Sequence, residues 1–490
     1  MDFRKKNNFK GKVKKKHLKG QQNKLILEKN KMLMKKNIII TSLLFVGFYA
    51  NSQTNPAILS WLRNTTGTLG RHYVSGNSTA INDADSVNIK HVLYSATSVY
   101  VKTNGIPSYV TGPFLDGNPS FATTQNAIFK FPLSPAQNTG NATATNGGNI
   151  GLFINGVALF DYRDGVAWNT TTGALCGGPG NPPCPGGPNV TQAWNRDAIP
   201  AEKLGFDCSK GHPAMGNYHH HQNPSAFNLD LNVISTVCNL YAAEGLYAID
   251  STQHSPLIGF AYDGFPIYGA YGFKNADGTG GLTRIKSGYQ LRNITTRTVS
   301  ANGTDVADGP AVGATYFLGY FREDYEFVAN AGQQDYLDEH NGRFCVTPEY
   351  PNGIYCYFTT VDANWNSYYP YAVGPTFYGN VTASKVTTIS EQVTEYTASA
   401  SGINEVLENN QFNIIPNPAT DLVAIQLLGL ANSDIQIELM DLTGRKIQTS
   451  TILQGSTIAY FDTSKLYNGE YIVKISNGES VISKKLMIVK

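Results

Sequence analysis

What this sequence lacks narrows the possibilities quickly. Its 490 residues contain no GxSxG elbow, no HExxH pair and no GxxxxGK[ST] loop. The local signatures of serine hydrolases, helix-based zinc proteases and P-loop nucleotide binders are therefore missing. No CxxC occurs among the six cysteines, which argues against a cysteine-ligated zinc site. Charged residues make up only 15% of the chain. Long stretches of 3.6-residue periodicity are scarce: residues 230–246 are the best helical candidate and residues 55–62 a weaker one. The apolar run Ile38–Ala50 (IIITSLLFVGFYA) spans thirteen residues, too short for a bilayer-crossing helix of about 20.

That run has a different meaning. It follows a segment in which residues 1–36 carry fourteen Lys or Arg against Asp2 and Glu28, and it precedes Asn51 and Ser52. A basic flank, a short apolar stretch and a small-residue exit together describe a secretory signal peptide. We expect the signal to occupy residues 32–52, with cleavage after Ser52 and Gln53 as the new N-terminus. Residues 1–31 then read as an over-long start or a basic extension. Removing the first 52 residues leaves 24 of the 38 basic and 34 of the 36 acidic side chains, a net charge of −10. An acidic mature chain disfavours nucleic acid or an anionic membrane surface as partner, and no integral membrane segment is expected in it.

All six cysteines lie beyond the cleavage point, and an even count in an exported chain reads as disulfides. Proximity along the chain suggests Cys176–Cys184, Cys208–Cys238 and Cys345–Cys356, out of 15 possible pairings. The mature chain is rich in Gly, Asn, Thr and Tyr, with short apolar runs between turn dipeptides, so the fold class is mainly β. Residues 150–160 (IGLFINGVALF) align without gaps on residues 258–268 (IGFAYDGFPIY). In each, Asn155-Gly156 or Asp263-Gly264 sits between two strand-like runs, as in a two-residue type I′ hairpin. An internal duplication and a chance match of two ordinary hairpins both remain open. Residues 173–189 are nearly all Gly, Pro and Asn and form a loop. Residues 383–411 turn Ser/Thr/Glu-rich and read as a linker. Residues 412–490 contain about six or seven alternating strands, enough for a small immunoglobulin-like antiparallel β-sandwich.

Four of the eight mature histidines fall between 212 and 221. In GNYHHHQNP (216–224), an extended backbone sends His219 and His221 to one face and His220 to the other. Two imidazoles on one face can share a metal ion, with His212 and His254 as helpers and Asp263 as an oxygen donor. Neutral imidazole suits Cu or Zn. The competing reading has the rings bonding to backbone carbonyls in a β core, and acid–base catalysis is a third. Asp338, Glu339 and Glu349 offer carboxylates for a glycosidase-like pair, though turn-forming or solvated roles suit them as well; Glu339 and Arg343 are a candidate structural pair. Tyr368, Tyr369 and Tyr371 (SYYPYAVGP) offer either a sugar-stacking platform or core packing.

Longer motifs carry a resemblance. GHPAMGNYHHHQNP, HSPLIGFAYDGFPIYG and LDEHNGRFCVTPEYPNGIYCYFTT, with IPSYVTGPF and IGLFINGVALFD upstream, resemble the YHYH domain family from about residue 98 to about 378. The family's Tyr-His-Tyr-His is here Tyr218-His219-His220-His221, so the departure falls on the face opposite His219 and His221. The resemblance implies an exported β-rich domain and supplies no activity. Pro416-Asn417-Pro418, Asp441 to Arg445 (DLTGR), Leu466 to Tyr471 (LYNGEY) and Lys485 to Lys490 resemble the type A C-terminal sorting domain of the type IX secretion system. That implies a gram-negative host, engagement of the type IX machinery through residues 412–490, and a secreted or outer-membrane-surface product. We therefore expect a YHYH domain with an N-terminal extension over 53–382. Its expected role is metal binding through the histidine cluster; the alternative is an adhesion module for glycan or protein with structural histidines. Neither reading requires an enzyme.

Overall fold

Hydrophobic alternation dictates the first layer. In Ala127–Pro132 (AIFKFP) every second side chain is buried, the period of a strand with one face on a core. A computed structural model describes residues 55–490, except 78, 117–119, 186–191, 226–244, 248, 398–410, 429–430, 432, 454–455 and 478–480. The signal peptide and the helix expected at 230–246 lie outside the described residues, apart from the last two positions of the latter. The weaker helical candidate is a single turn, Pro56–Leu59.

Ala127–Pro132 belongs to an antiparallel five-stranded sheet. Its order is Ser384–Val386, Ala127–Pro132, Ser98–Thr103, Ile89–Tyr94 and Thr394–Glu395. Both edge strands come from the segment read as a linker, which is a correction. Their side chains are exposed, giving a linker-like composition, but their backbones supply the edge hydrogen-bonding partners. Rings of this layer meet an eight-stranded sheet, with Phe131 6.4 Å from Phe260 and Trp61 wedged against both.

The eight-stranded sheet organises the larger domain. Its strands, in chain order, are β1 (Asn149–Phe153), β2 (Ala158–Phe160), β3 (His212–Ala214), β4 (Asn217–His220), β5 (Leu257–Ala261), β6 (Pro266–Tyr268), β7 (Gly342–Cys345) and β8 (Ile354–Phe358). The spatial order is β3-β4-β2-β1-β5-β6-β8-β7. Hairpin β1–β2 pairs with hairpin β5–β6 through the antiparallel register Gly151↔Ala261, Leu152↔Phe260 and Phe153↔Gly259. Exchanging each residue for its counterpart in the other hairpin returns the same register, so a local two-fold axis passes at Leu152–Phe260.

The repeat extends outward. β4 runs parallel to β2 (His220↔Leu159), as β8 runs parallel to β6 (Tyr357↔Ile267). β3 closes antiparallel on β4 as β7 does on β8. The loops before β3 and β7 also match. Asp207 Oδ1 accepts the backbone N–H of Ser209 and Gly211 and the Tyr218 hydroxyl. Asp338 Oδ1 accepts those of His340 and Gly342 and the Tyr355 hydroxyl. Lys210 and Asn341 share a positive φ, 61° and 66°. Two copies of one β-unit build this sheet.

The hairpin tips differ from expectation. Only Gly156 and Gly264 have positive φ (82° and 88°), and each donates its N–H three residues back, to Phe153 O and Ala261 O. This is a type I turn with a glycine bulge, because Asn155 and Asp263 keep negative φ. The left-handed pair of a type I′ turn instead occurs at Met215-Gly216, between β3 and β4 (φ 48° and 82°).

The disulfide Cys176–Cys184 closes the Gly/Pro loop. Cys208 is disulfide-bonded, and Cys238 lies outside the described residues. Cys345 and Cys356 are free and buried, which corrects the expected third bridge. They sit on paired strands but out of register: Cys345 faces Ile354, and Cys356 faces Arg343. Alkylation under native conditions should label neither thiol, and unfolding without reductant should expose two per chain. A count of zero by mass spectrometry would show that they are bridged after all.

The tail is a β-sandwich. A three-stranded sheet (Phe412–Ile415, Leu422–Leu427, Ile458–Asp462) and a four-stranded one (Lys446–Ile452, Ile435–Met440, Gly469–Ser476, Val481–Ile488) share one core of Val423, Ile425, Phe461, Leu439, Val473 and Leu486. The motifs read from the sequence hold its turns and terminal strand. Asn417 bonds Lys485 O and Met487 N, and Asp441 caps the Thr443–Arg445 turn.

Candidate metal centre

The β3–β4 hairpin brings the histidines together. His212 lies directly opposite His219 in register, and alternation along β4 carries His219 and His221 to the same side. Their Nε2 atoms converge: His219 to His221 is 3.2 Å and His212 to His221 is 3.4 Å. All three ligand atoms lie within 4.8 Å of one another. Phe160 on the neighbouring β2 stacks on the His219 ring at 3.8 Å and meets His221 edge-on.

Hydrogen bonds on the far side set the tautomers. His221 Nδ1 donates to Asp161 O at 2.6 Å, and His219 Nδ1 donates to Asn217 O at 2.8 Å. With Nδ1 protonated, each neutral ring turns a bare Nε2 lone pair toward the centre. Two bare Nε2 lone pairs 3.2 Å apart repel, so this contact calls for a positive charge between them, a proton or a metal ion. Four donors arranged tetrahedrally at the 2.0–2.1 Å typical of zinc–imidazole bonds stand about 3.3–3.4 Å apart, close to the His219–His221 and His212–His221 spacings.

A fourth group was invisible in the sequence. Glu202 caps the C-terminal end of the short helix Ala198–Ala201, which Asp197 caps at its start. Glu202 Oε2 lies 3.3 Å from Nε2 of both His212 and His221. That oxygen is buried and is shared between the Nε2 atoms of His212 and His221. No spacing or motif links Glu202 to the HxH pattern; only the turn of chain after the helix delivers it.

Burial lowers His212 to about 4 and holds His219 well below the usual imidazole range, reinforced for His219 by the neighbouring rings. Burial also opposes the charged form of His221, but the Glu202 carboxylate outweighs it and raises that ring. Burial pushes Glu202 up, and His221 and His212 more than reverse this. Positive charge is thus favoured at His221, beside Glu202, and disfavoured at His212 and His219.

The opposite face of β4 is structural. Tyr218 donates to Asp207, and His220 Nε2 pairs with the Tyr109 hydroxyl at 2.7 Å. Two other expected ligands lie elsewhere. His254 donates from Nδ1 to Ser255 O and packs among Tyr268, Phe273 and Phe358. Asp263 is fully buried and accepts from Tyr357 Oη, Gly379 N and Phe265 N. Both sit in the second copy of the repeat, where His212, His219 and His221 are replaced by Arg343, Cys356 and Phe358. The carboxylates near the third motif are also committed: Asp338 accepts from Tyr355, and Glu349 accepts from Tyr268. Arg343 binds the carbonyls of Lys274, Gln334 and Phe273 rather than Glu339.

The family model described as YHYH protein matches residues 128–369, spanning both copies of the repeat and the histidine hairpin. The chain carries a YHYH domain. In it the signature segment is β4 and the following His221, with Tyr218 buried against Asp207 and His219 and His221 on the face of the histidine cluster. The secretion system C-terminal sorting domain matches residues 413–489, the sandwich that follows the YHYH domain. Such a domain implies export to the cell surface or extracellular space. No curated protein matches the chain. No helix among the described residues is long and apolar enough to cross a membrane.

Proposed function

We propose that this YHYH domain is an extracellular or cell-surface binder of one divalent transition metal, Zn²⁺ or Cu²⁺. Its ligands are Nε2 of His212, His219 and His221, and Glu202 supplies an oxygen. The observation that carries the reading is the convergence of three imidazole Nε2 atoms and one buried carboxylate oxygen on a common centre. The Nδ1 atoms of His219 and His221 are spent on carbonyls, and their Nε2 atoms face each other and His212 rather than a backbone partner. Three imidazoles and a carboxylate saturate a tetrahedral ion, which suits capture or structural stabilisation better than hydrolysis, where a position stays open for water. The type IX machinery delivers the domain, and the sandwich is the part that machinery reads.

The test is metal content. Protein purified after exposure to equimolar Zn²⁺ or Cu²⁺ and desalted should retain close to one ion per chain by mass spectrometry. Retention below a tenth of an ion for every first-row divalent metal would end the proposal.

A further inference from the structure

A second site stands on other observations. Strand Leu282–Arg284, strand Tyr289–Leu291 and the loop at Asp362 and Tyr368 enclose an open cleft of about 310 Å³. This is the lower end of the roughly 300–1,000 Å³ range of small-molecule sites, room for a short ligand only. Its walls include Tyr289, Tyr336 and Tyr368, and its polar groups include Arg284, Lys286 and Asp362. All three rings are partly exposed, unlike Tyr369 and Tyr371, which are 3% exposed. Of the SYYPY run, then, Tyr368 alone faces the cleft. Tyr371 donates to buried Asp197, and Tyr369 packs edge-on behind Tyr289 at 5.3 Å, bracing that wall.

The cations are not equivalent. Lys286 is bound by Asp335 at 2.8 Å and lies 4.9 Å over the Tyr336 ring. Arg284 donates from Nη1 to Val361 O at 2.6 Å, and no carboxylate pairs with it among the described residues. One end of this guanidinium is thus anchored, and its remaining N–H groups are left for a ligand. Tyrosine faces suit the apolar C–H faces of a pyranose, and an anchored guanidinium suits a planar carboxylate in bidentate contact. A mature chain of net charge −10 disfavours long polyanions, while a single unpaired cation matches a single carboxylate.

We infer that this cleft binds a short uronate-containing oligosaccharide, with Arg284 on the carboxylate and Tyr368 against a sugar ring. It is independent of the metal centre, so either can fail alone. The test uses the full mature chain, with titration calorimetry against a disaccharide carrying one uronate residue (galacturonate linked to a neutral hexose) and against the corresponding neutral disaccharide. The acidic sugar should bind at least tenfold more tightly than the neutral one. Tyr368→Ala and Arg284→Gln should each weaken it at least tenfold, and Arg284→Gln should erase the preference for the acid. Thermal unfolding of each variant within a few degrees of wild type certifies the fold; if Arg284→Gln unfolds, Tyr368→Ala and the acid-to-neutral ratio still decide. Absence of binding, equal binding of both sugars, or tighter binding of inorganic phosphate than of the uronate disaccharide overturns the inference.

Discussion

Replacing His219 and His221 together by alanine should abolish stoichiometric metal retention and lower affinity by at least about a thousandfold. Outer-shell partners of metal ligands are each worth roughly 10–100-fold, and two ligands exceed that. The same loss should appear in stability. At a hundred times Kd, a bound ion stabilises the folded state by about 2.7 kcal/mol, so wild type should gain that much on adding metal and the double variant nothing. Two controls separate ligation from folding. His220→Ala breaks the bond to Tyr109 and should destabilise the domain, yet it should keep the ion. His254→Ala and Asp263→Asn, both remote from the centre, should keep it too. Glu202→Gln preserves shape but removes the charge beside His212 and His221, and affinity should fall about tenfold or more. Metal retained by the His219/His221 variant would place the ion elsewhere.

The second large effect concerns the repeat. Asp207→Ala should destabilise the domain by about 3–5 kcal/mol, and Asp338→Ala by a similar amount. Each substitution strands a buried tyrosine hydroxyl and two or more backbone N–H groups that converge on one carboxylate. Leaving a single buried group unsatisfied costs about 1–3 kcal/mol, and several share this acceptor. Gly211→Ala and Gly342→Ala should be comparably harmful, since a Cβ at either position falls on the hydroxyl of Tyr218 or Tyr355. The readout is the denaturant midpoint of the mature chain, with metal chelated so that ion binding does not mask the loss. Loss at one position and neutrality at its counterpart would show that the two loops do not do equivalent work.

The two halves were unequally visible before folding. The hairpin pair 150–160 and 258–268 aligns residue by residue because both copies keep the same turn length. The outer pair hides, because β3 and β4 are joined by Met215 and Gly216, whereas β7 and β8 are separated by residues 346–353. What persists there is Asp207, Gly211 and Tyr218 against Asp338, Gly342 and Tyr355, with the Asp–Gly spacing of four kept and the Gly–Tyr spacing changed from seven to thirteen. Asn155 and Asp263 announced turns correctly but not their type, since only the glycine in each takes the left-handed conformation. His254 and Asp263 were attractive as ligands by residue type, and both were consumed by the core of the second copy.

Short-range physics wrote much of this protein plainly into its residue order. Two-residue alternation specified strands, Asn-Gly and Asp-Gly their reversals, HxH a common face for two rings, and the tail's turn motifs a separate sandwich. Each of these depends on neighbours within a few positions, where backbone geometry leaves little choice. Bringing Glu202 to His212 and His221 and diverting His254 and Asp263 away required the pairing of distant strands. Such long-range registers follow from how whole faces bury against one another, a property no local pattern of residues encodes.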